Sequence, residues 1–391
     1  MSGGRSALGG AFSLGGAGTS LGGQSVSGGA HSTGGSTAPS SGGESSGGAS
    51  GVDAGVGGEA GGEAVEEGGA GGWAGARGSA GSDGGGAAGA NGAAAGNGGE
   101  GQENERYPAV TLAGLLSAVE LAPVRLAATG LYPGEVRIQS GGVDALFGAN
   151  PPLVATNAET QALRASVNNP NLRIIFTVCE GLYRIVAKKS AGIQTLADLR
   201  GKTVDYSPGT SSAYFLHKML ALVNMTEADV RTGGTPSGTS RGDAAAYWEP
   251  NMAQYAAARG RDAVEFQKDS QGNEVYRELF NLHATAQSLA DPARRRTIVR
   301  FVRALVESSA RIRNDPAQVY PLLTGPVGVS RATLEASFAY ERYAGGLVSD
   351  IGEVLVEEEA WSARTNNRQA RSREQILRLV DDSVVKEALD R

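Results

Sequence analysis

From Tyr107 onward the sequence predicts an α/β fold large enough for two lobes that share a cleft, and three observations carry that expectation. Short apolar runs alternate with amphipathic stretches, the pattern of strands covered by helices. This part of the chain has ordinary globular composition over about 285 residues, enough to bury two small cores. The preceding segment differs in kind: 39 of the 60 glycines lie before Tyr107, mixed with Ser and Ala, as in Ala80-Gly81-Ser82-Asp83-Gly84-Gly85-Gly86. Such a stretch cannot bury enough apolar surface to offset its ordering entropy, so residues 1–106 are expected to form a disordered Gly/Ser/Ala-rich leader or tether.

Taken in order, Val110 to Leu112 and Val136 to Ile138 read as strands on either side of a helix from about Glu120 to Leu131. Leu153-Val154-Ala155 reads as a third strand, followed by a helix for which Asn157 is the expected N-cap. Leu172 to Val178 and Leu182 to Ala187 read as two further strands, adjacent across a turn at Glu180-Gly181. A short helix at Thr195 to Leu199 precedes the strand Thr203 to Tyr206. That strand feeds Pro208-Gly209-Thr210-Ser211-Ser212-Ala213-Tyr214-Phe215-Leu216-His217, a loop-to-helix junction rich in hydroxyls. Free backbone N–H groups and the positive end of the dipole at such a helix start suit an anion or a carbonyl oxygen, although a simple Ser/Thr N-cap has the same appearance. After Asp291 the pattern is helical, marked by Ile298, Phe301, Val302, Leu305 and Val306 and again by Gln375, Ile376, Leu379 and Val380.

Several function classes are excluded or disfavoured. The net charge of -6 and the absence of a basic face interleaved with aromatics argue against nucleic acid, and Arg294-Arg295-Arg296 reads as a solvated helix start. The single cysteine, Cys179, sits in an apolar run and reads as a buried structural thiol. No run of about 18 apolar residues occurs. Met1-Ser2-Gly3-Gly4-Arg5 lacks the basic and apolar regions of a secretory signal. Either this start lies inside a longer gene, with a lipidated cysteine ahead of the tether, which is the expectation, or the protein is not exported by the usual route.

Catalytic arrangements are weak. Gly238-Thr239-Ser240-Arg241-Gly242 matches G-x-S-x-G, and Asp262 or Asp269 followed by His283 completes the hydrolase order, but Thr232 to Ser237 reads as a loop where a nucleophile elbow needs a strand. His31, His217 and His283 are isolated, so no metal is expected. There is no phosphate loop, and no cofactor is expected.

Four stretches in a fixed order give the chain a family resemblance: Val119-Glu120-Leu121-Ala122-Pro123-Val124; Ala155-Thr156-Asn157-Ala158-Glu159-Thr160; Thr195 to Lys202 leading to Pro208 through Leu216; and Gly242-Asp243-Ala244-Ala245-Ala246-Tyr247-Trp248-Glu249-Pro250. From Glu120 to Arg391 the sequence resembles the nitrate/sulfonate/taurine/thiamine-precursor group of periplasmic binding proteins. That resemblance implies the type II periplasmic binding protein fold, two Rossmann-like lobes joined by a two-strand hinge. It places lobe one at 107–184, lobe two at 185–281, and a return to lobe one with a helical tail at 282–391. It implies ligand contacts from Glu120, Leu121, Asn157, Glu159, Gly209, Thr210, Ser211, Ser212, Trp248 and Glu249. The residues themselves leave other roles open: Trp248 as lobe-two core, Glu249 paired with an arginine near the hinge, Glu159 complementing a helix dipole.

The resemblance further implies a monomeric, non-catalytic receptor of an ABC importer. It would act in the periplasm or attached to the cell envelope, serve a permease with a separate ATPase, and close on a small polar or anionic organic solute. The alternatives are a stand-alone ligand sensor and an enzyme like the thiamine-pyrimidine synthases. The latter resemble these receptors, but their cysteine-rich motif has no counterpart here. The two acidic candidates, Glu120 and Glu159, suit a bare oxyanion poorly and lean toward an amino, zwitterionic or heterocyclic solute.

Overall fold

The computed structural model describes residues 107–390. The leader expected over residues 1–106 lies outside the described residues. The chain begins with β1 (Val110–Gly114), α1 (Ala122–Leu126), β2 (Val136–Ser140), β3 (Val154–Ala158), α2 (Glu159–Ala165) and the long β4 (Leu172–Leu182). It continues with β5 (Arg184–Lys188), β6 (Thr203–Asp205), α3 (Ser211–Ala221), β7 (Arg231–Thr232), β8 (Ala244–Tyr247), α4 (Asn251–Arg259) and β9 (Ala263–Phe266). Next comes β10 (Arg277–Thr285), then α5 (Ala286–Ala290), α6 (Pro292–Asn314), α7 (Tyr320–Leu323), α8 (Arg331–Phe338), β11 (Glu341–Arg342), α9 (Ile351–Thr365), α10 (Arg373–Leu377) and α11 (Ser383–Leu389).

These strands form two sheets, ordered β11-β4-β10-β3-β1-β2 and β7-β6-β8-β5-β9. In the first, β1 runs parallel to β2 and β3, while β10 is antiparallel to both β3 and β4. In the second, β6 is parallel to β7 and β8, and β5 is antiparallel to β8 and β9. Helices cover both sheets, which is why the central strands are apolar on both faces: β8 is buried at all four positions, Ala244 to Tyr247. The fold is α/β with two Rossmann-like lobes.

The chain passes between the sheets twice, and a tyrosine stands at each passage. Tyr183 is the single residue between β4 and β5, and Tyr276 immediately precedes β10. Their rings meet edge to face with centroids 5.3 Å apart, and Tyr183 meets Phe215 of α3 in the same way at 5.7 Å. The two connections are thus held by one aromatic cluster, a geometry in which the electron-poor ring edges face the electron-rich ring faces.

Local expectations fail in three places. Glu180 and Gly181 are not a turn: β4 continues through them, and β4 and β5 belong to different sheets. Asn157 is not an N-cap, because it lies within β3 and Ala158 occupies the cap position of α2 without a side-chain bond. The helix expected from Glu120 to Leu131 is divided into a 3-10 turn at Val119–Leu121, α1, and a wide turn kinked at Gly130, where φ is 117°. Pro123 and Gly130 supply the physical reason, the first limiting where a helix can start and the second adopting a conformation costly to other residues.

The tail markers Ile298, Phe301, Val302 and Leu305 are buried along α6 against the first sheet, with Phe301 edge-on to Tyr132 at 5.8 Å. The start of α6 has Asp291 as its N-cap, accepting from the Ala293 and Arg294 amides, with Pro292 in the first turn. Helix α9 reaches the other lobe: Trp361 packs in the second core, 5.1 Å from the Tyr214 ring.

Candidate functional site

A cavity of about 300 Å³ lies between the two sheets and draws its lining from both. Five of the expected residues meet there: Glu120, Asn157, Thr210, Ser211 and Trp248. From the first sheet come Glu120, at the 3-10 turn after β1, and Asn157, near the end of β3. Asn157 can fit because residue 142 is glycine, where an added Cβ would fall 2.4 Å from the Asn157 amide nitrogen.

From the second sheet, Thr210 caps α3, its Oγ1 accepting from the Ser212 amide at 3.3 Å. Ser211 extends its hydroxyl across to the first sheet, donating to Glu278 Oε1 at 3.0 Å and lying 2.9 Å from the Tyr183 hydroxyl. Trp248 leaves β8 stacked on Tyr247, with ring centroids 3.6 Å apart and planes inclined by 23°, and presents its indole to the cavity.

The other five expected residues are placed elsewhere. Leu121 is wholly buried in the core beneath the first sheet, because the 3-10 turn points Glu120 and Leu121 in different directions. Glu159 is buried at the start of α2, where it accepts from the Tyr276 hydroxyl and, at 2.7 Å, from the Leu279 amide, tying α2 to β10. Gly209 adopts φ of 72°, and its carbonyl accepts from Gln161 Nε2 at 3.2 Å, a contact between the lobes at the cavity edge. The Ser212 hydroxyl accepts from the Ser207 amide at 2.9 Å, closing the loop before α3. Glu249 accepts from Arg184 at 2.9 Å and from the Ala253 amide at 2.9 Å, with both side chains almost fully buried. Arg184 also pairs with Glu265 at 3.0 Å and stacks on the Tyr340 ring at 3.8 Å.

Glu278 is the residue that sequence reasoning missed. It stands at the second position of β10, lines the cavity, and is only 4% exposed. A usable signal existed: one carboxylate inside the buried strand Arg277–Thr285 is expensive unless something uses it. Phe280 and Gln161 also line the cavity, and Asp144 stands at its rim, paired with Arg164 at 2.6 Å.

The electrostatics of this region are those of crowded carboxyls. Gly181 of β4 lies directly between Glu278 of β10 and Glu341 of β11 in the strand register, and a Cβ built on it would sit 3.4 Å and 3.7 Å from their Oε2 atoms. Glu341 accepts from the Cys179 thiol at 2.9 Å. Burial, with the repulsion of Glu120 behind it, pushes Glu278 and Glu341 well above the usual carboxylate range. Burial likewise lifts Glu120 to about 7, partly offset by backbone amides and reinforced by Glu249.

No cluster suited to a metal ion is found among the described residues. The hydrolase arrangement is not assembled: Ser240 bonds within its own loop, while His283 lies buried in β10 with Nδ1 3.3 Å from the Ala155 carbonyl. His217, in the middle of α3, sits between Glu227 and Arg364 and is not among the residues lining the cavity.

With two sheets, two connections and one shared cavity in view, comparison with known proteins gives a consistent result. Residues 138–319 match the family model described as NMT1/THI5 like. This stretch is similar to the NMT1/THI5-like domain over somewhat less than half of the chain. It holds all the expected site residues except Glu120 and Leu121, and it also holds Glu278. Among solved structures, the chain is similar to the alkanesulfonate-binding protein SsuA from Xanthomonas axonopodis pv. citri bound to MOPS, at 13% identity and a TM-score of 0.55, covering 70% of this chain and 98% of that one. It is also similar to the periplasmic aliphatic sulphonate binding protein SsuA from Escherichia coli, at 14% identity and a TM-score of 0.55, covering 68% and 91%. A third is the ligand-binding component of an ABC-type import system from Staphylococcus aureus, at 14% identity and a TM-score of 0.56, covering 72% and 98%. No curated protein matches the sequence. At these identities the likeness establishes the fold, that of periplasmic binding proteins.

Proposed function

We propose that the protein is the solute-binding receptor of an ABC importer, a non-catalytic protein that captures a small organic solute between its lobes outside the cytoplasmic membrane. The observation that carries this reading is the cavity of about 300 Å³ whose lining is shared between the two sheets, at the ends of strands where α/β folds place ligands. Its polar groups are carboxyls, two side-chain amides and hydroxyls suited to recognition, and the lobes would turn about the aromatic cluster of Tyr183 and Tyr276. Solute would dock on the first-sheet side, and the start of α3 and Trp248 would close over it. A permease would read the closed form, and a separate ATPase would drive transport. The names of the similar structures, sulfonate-binding proteins and an importer component, support the same assignment.

A thermal-shift screen of the full chain against sulfonates, nitrate, taurine, pyrimidines, amines and amino acids tests this, with mass spectrometry of the solute recovered after release. A saturable shift with the solute intact is expected. Chemical conversion of the solute, or silence across the whole panel, would sink the receptor reading.

A further inference from the structure

The chemistry of the cavity is opposite to that expected for an oxyanion. At the start of α3, where an anionic solute would meet hydroxyls and the helix dipole, the protein has already placed a carboxyl of its own: Ser211 donates to Glu278 Oε1 at 3.0 Å. The other oxygen of that carboxyl, Oε2, is buried without a hydrogen-bond partner, and so is Oε2 of Glu120. Both side chains line the cavity, at 4% and 2% exposure. No lysine, arginine or histidine is among the residues lining it. Asp144, the third acid of the lining, is exposed and already paired with Arg164. Two buried carboxyls in the lining, each with an oxygen that no donor meets, and no cation among the lining residues favour a solute that brings its own donors.

The apolar part of the lining is equally specific. Trp248 and Phe280 both face the cavity, and Trp248 is held flat by its stack on Tyr247. A flat apolar or aromatic body against the indole, with a positively charged head, gains from both the area and the ring's negative face.

We propose that the cavity selects an organic cation bearing N–H donors, an amidinium or protonated amine, whose head sits between Glu120 and Glu278 and whose body lies against Trp248 and Phe280. This rests on the receptor reading and deepens it. For the solute's N–H groups to meet them, the Glu120 and Glu278 carboxyls turn toward the cavity, because their Oε2 atoms are closed off from it in the empty protein; the positive charge then offsets the repulsion among Glu120, Glu278 and Glu341. Ser211 then acts through Glu278, holding one oxygen of the carboxyl while leaving the other for the solute.

Calorimetric titration of the full chain with benzamidine, benzamide and benzenesulfonate tests the assignment, because the three share one ring and differ in the charge of the head. Benzamidine is expected to bind saturably and at least tenfold more tightly than benzamide, with benzenesulfonate weaker than either. Glu278→Gln should lower benzamidine affinity tenfold or more while moving benzamide by less than twofold, and Glu120→Gln provides the same reading should the first variant fold poorly. Tighter binding of benzenesulfonate than of benzamidine overturns the inference and leaves the receptor reading standing. Unchanged benzamidine affinity in both variants overturns it as well, as does silence toward all three probes. The receptor reading itself falls only if the wider screen is silent too or returns its solute chemically converted.

Discussion

The hinge and the cavity floor of this protein both bury glutamates, and they treat them differently. At the hinge, Glu249 has one oxygen on Arg184 and the other on the Ala253 amide, and Glu159 has one on the Tyr276 hydroxyl and the other on the Leu279 amide. On the cavity floor, Glu278 and Glu120 each keep an oxygen with no partner. Burial alone therefore does not separate architecture from recognition, since all four are at most 4% exposed. Among these four, the state of the second oxygen does. Glu249 and Glu159, satisfied on both oxygens, are part of the frame, whereas Glu278 and Glu120 line the cavity and keep an oxygen that no donor meets.

Glu249→Ala breaks the hinge side of this comparison and should have the largest effect. It leaves the Arg184 guanidinium, whose side chain is 6% exposed, with only the half-exposed Glu265 as a charged partner. Removing one member of a buried ion pair costs on the order of 3–5 kcal/mol, reduced here by whatever Glu265 retains. Urea unfolding of wild type and variant measures it, and a loss below about 1 kcal/mol would remove Glu249 from the frame.

Tyr276→Phe sharpens the contrast at lower cost. The change deletes a single hydroxyl, withdraws a donor from buried Glu159, and keeps the ring contact with Tyr183. The expected loss is about 1–3 kcal/mol, the cost of leaving a buried acceptor unsatisfied. Glu278→Gln, made on an oxygen that has no donor to lose, should cost less than Tyr276→Phe in the same urea assay. The reverse order would mean that the cavity floor, too, is structural.

The same contrast explains what was legible in the sequence. The strand-to-helix junction at Thr210 announced itself, because an N-cap is a local device whose donor and acceptor are two residues apart. Trp248 was legible for a similar reason, as the residue leaving an apolar strand beside Pro250. Glu278 was not, since its partner Ser211 lies 67 residues away and meets it only when the second lobe is laid against the first. Leu121 and Ser212 do not line the cavity, because a resemblance carries whole segments, whereas in a 3-10 turn or at a helix start neighbouring side chains point in different directions. The turn expected at Glu180-Gly181 failed because β4 runs on through both residues, paired with β10 on one side and β11 on the other.

The smallest effect expected per unit of change is in the pH dependence of the empty protein, and here two buried groups pull in opposite directions. Burial lowers His283 to about 4 from an ordinary 6.5, so the unfolded chain binds the extra proton between those values and stability is lost as pH falls through that window. Burial raises Glu120 from 4.5 to about 7, so the folded protein binds the extra proton and stability is lost as pH rises through 4.5 to 7. Each contributes a slope of up to about 1.4 kcal/mol per pH unit, with opposite signs over nearly the same range, and the two largely cancel. Glu120→Gln removes one of the carboxyl contributions that oppose His283, so its urea midpoints from pH 4.5 to 6.5 should climb more steeply, or fall less steeply, than those of wild type. His283→Gln should tilt the profile the other way. Parallel profiles for wild type and Glu120→Gln would mean that Glu120 titrates alike in the folded and unfolded chain, and its place on the cavity floor as a carboxyl awaiting a charge would be lost.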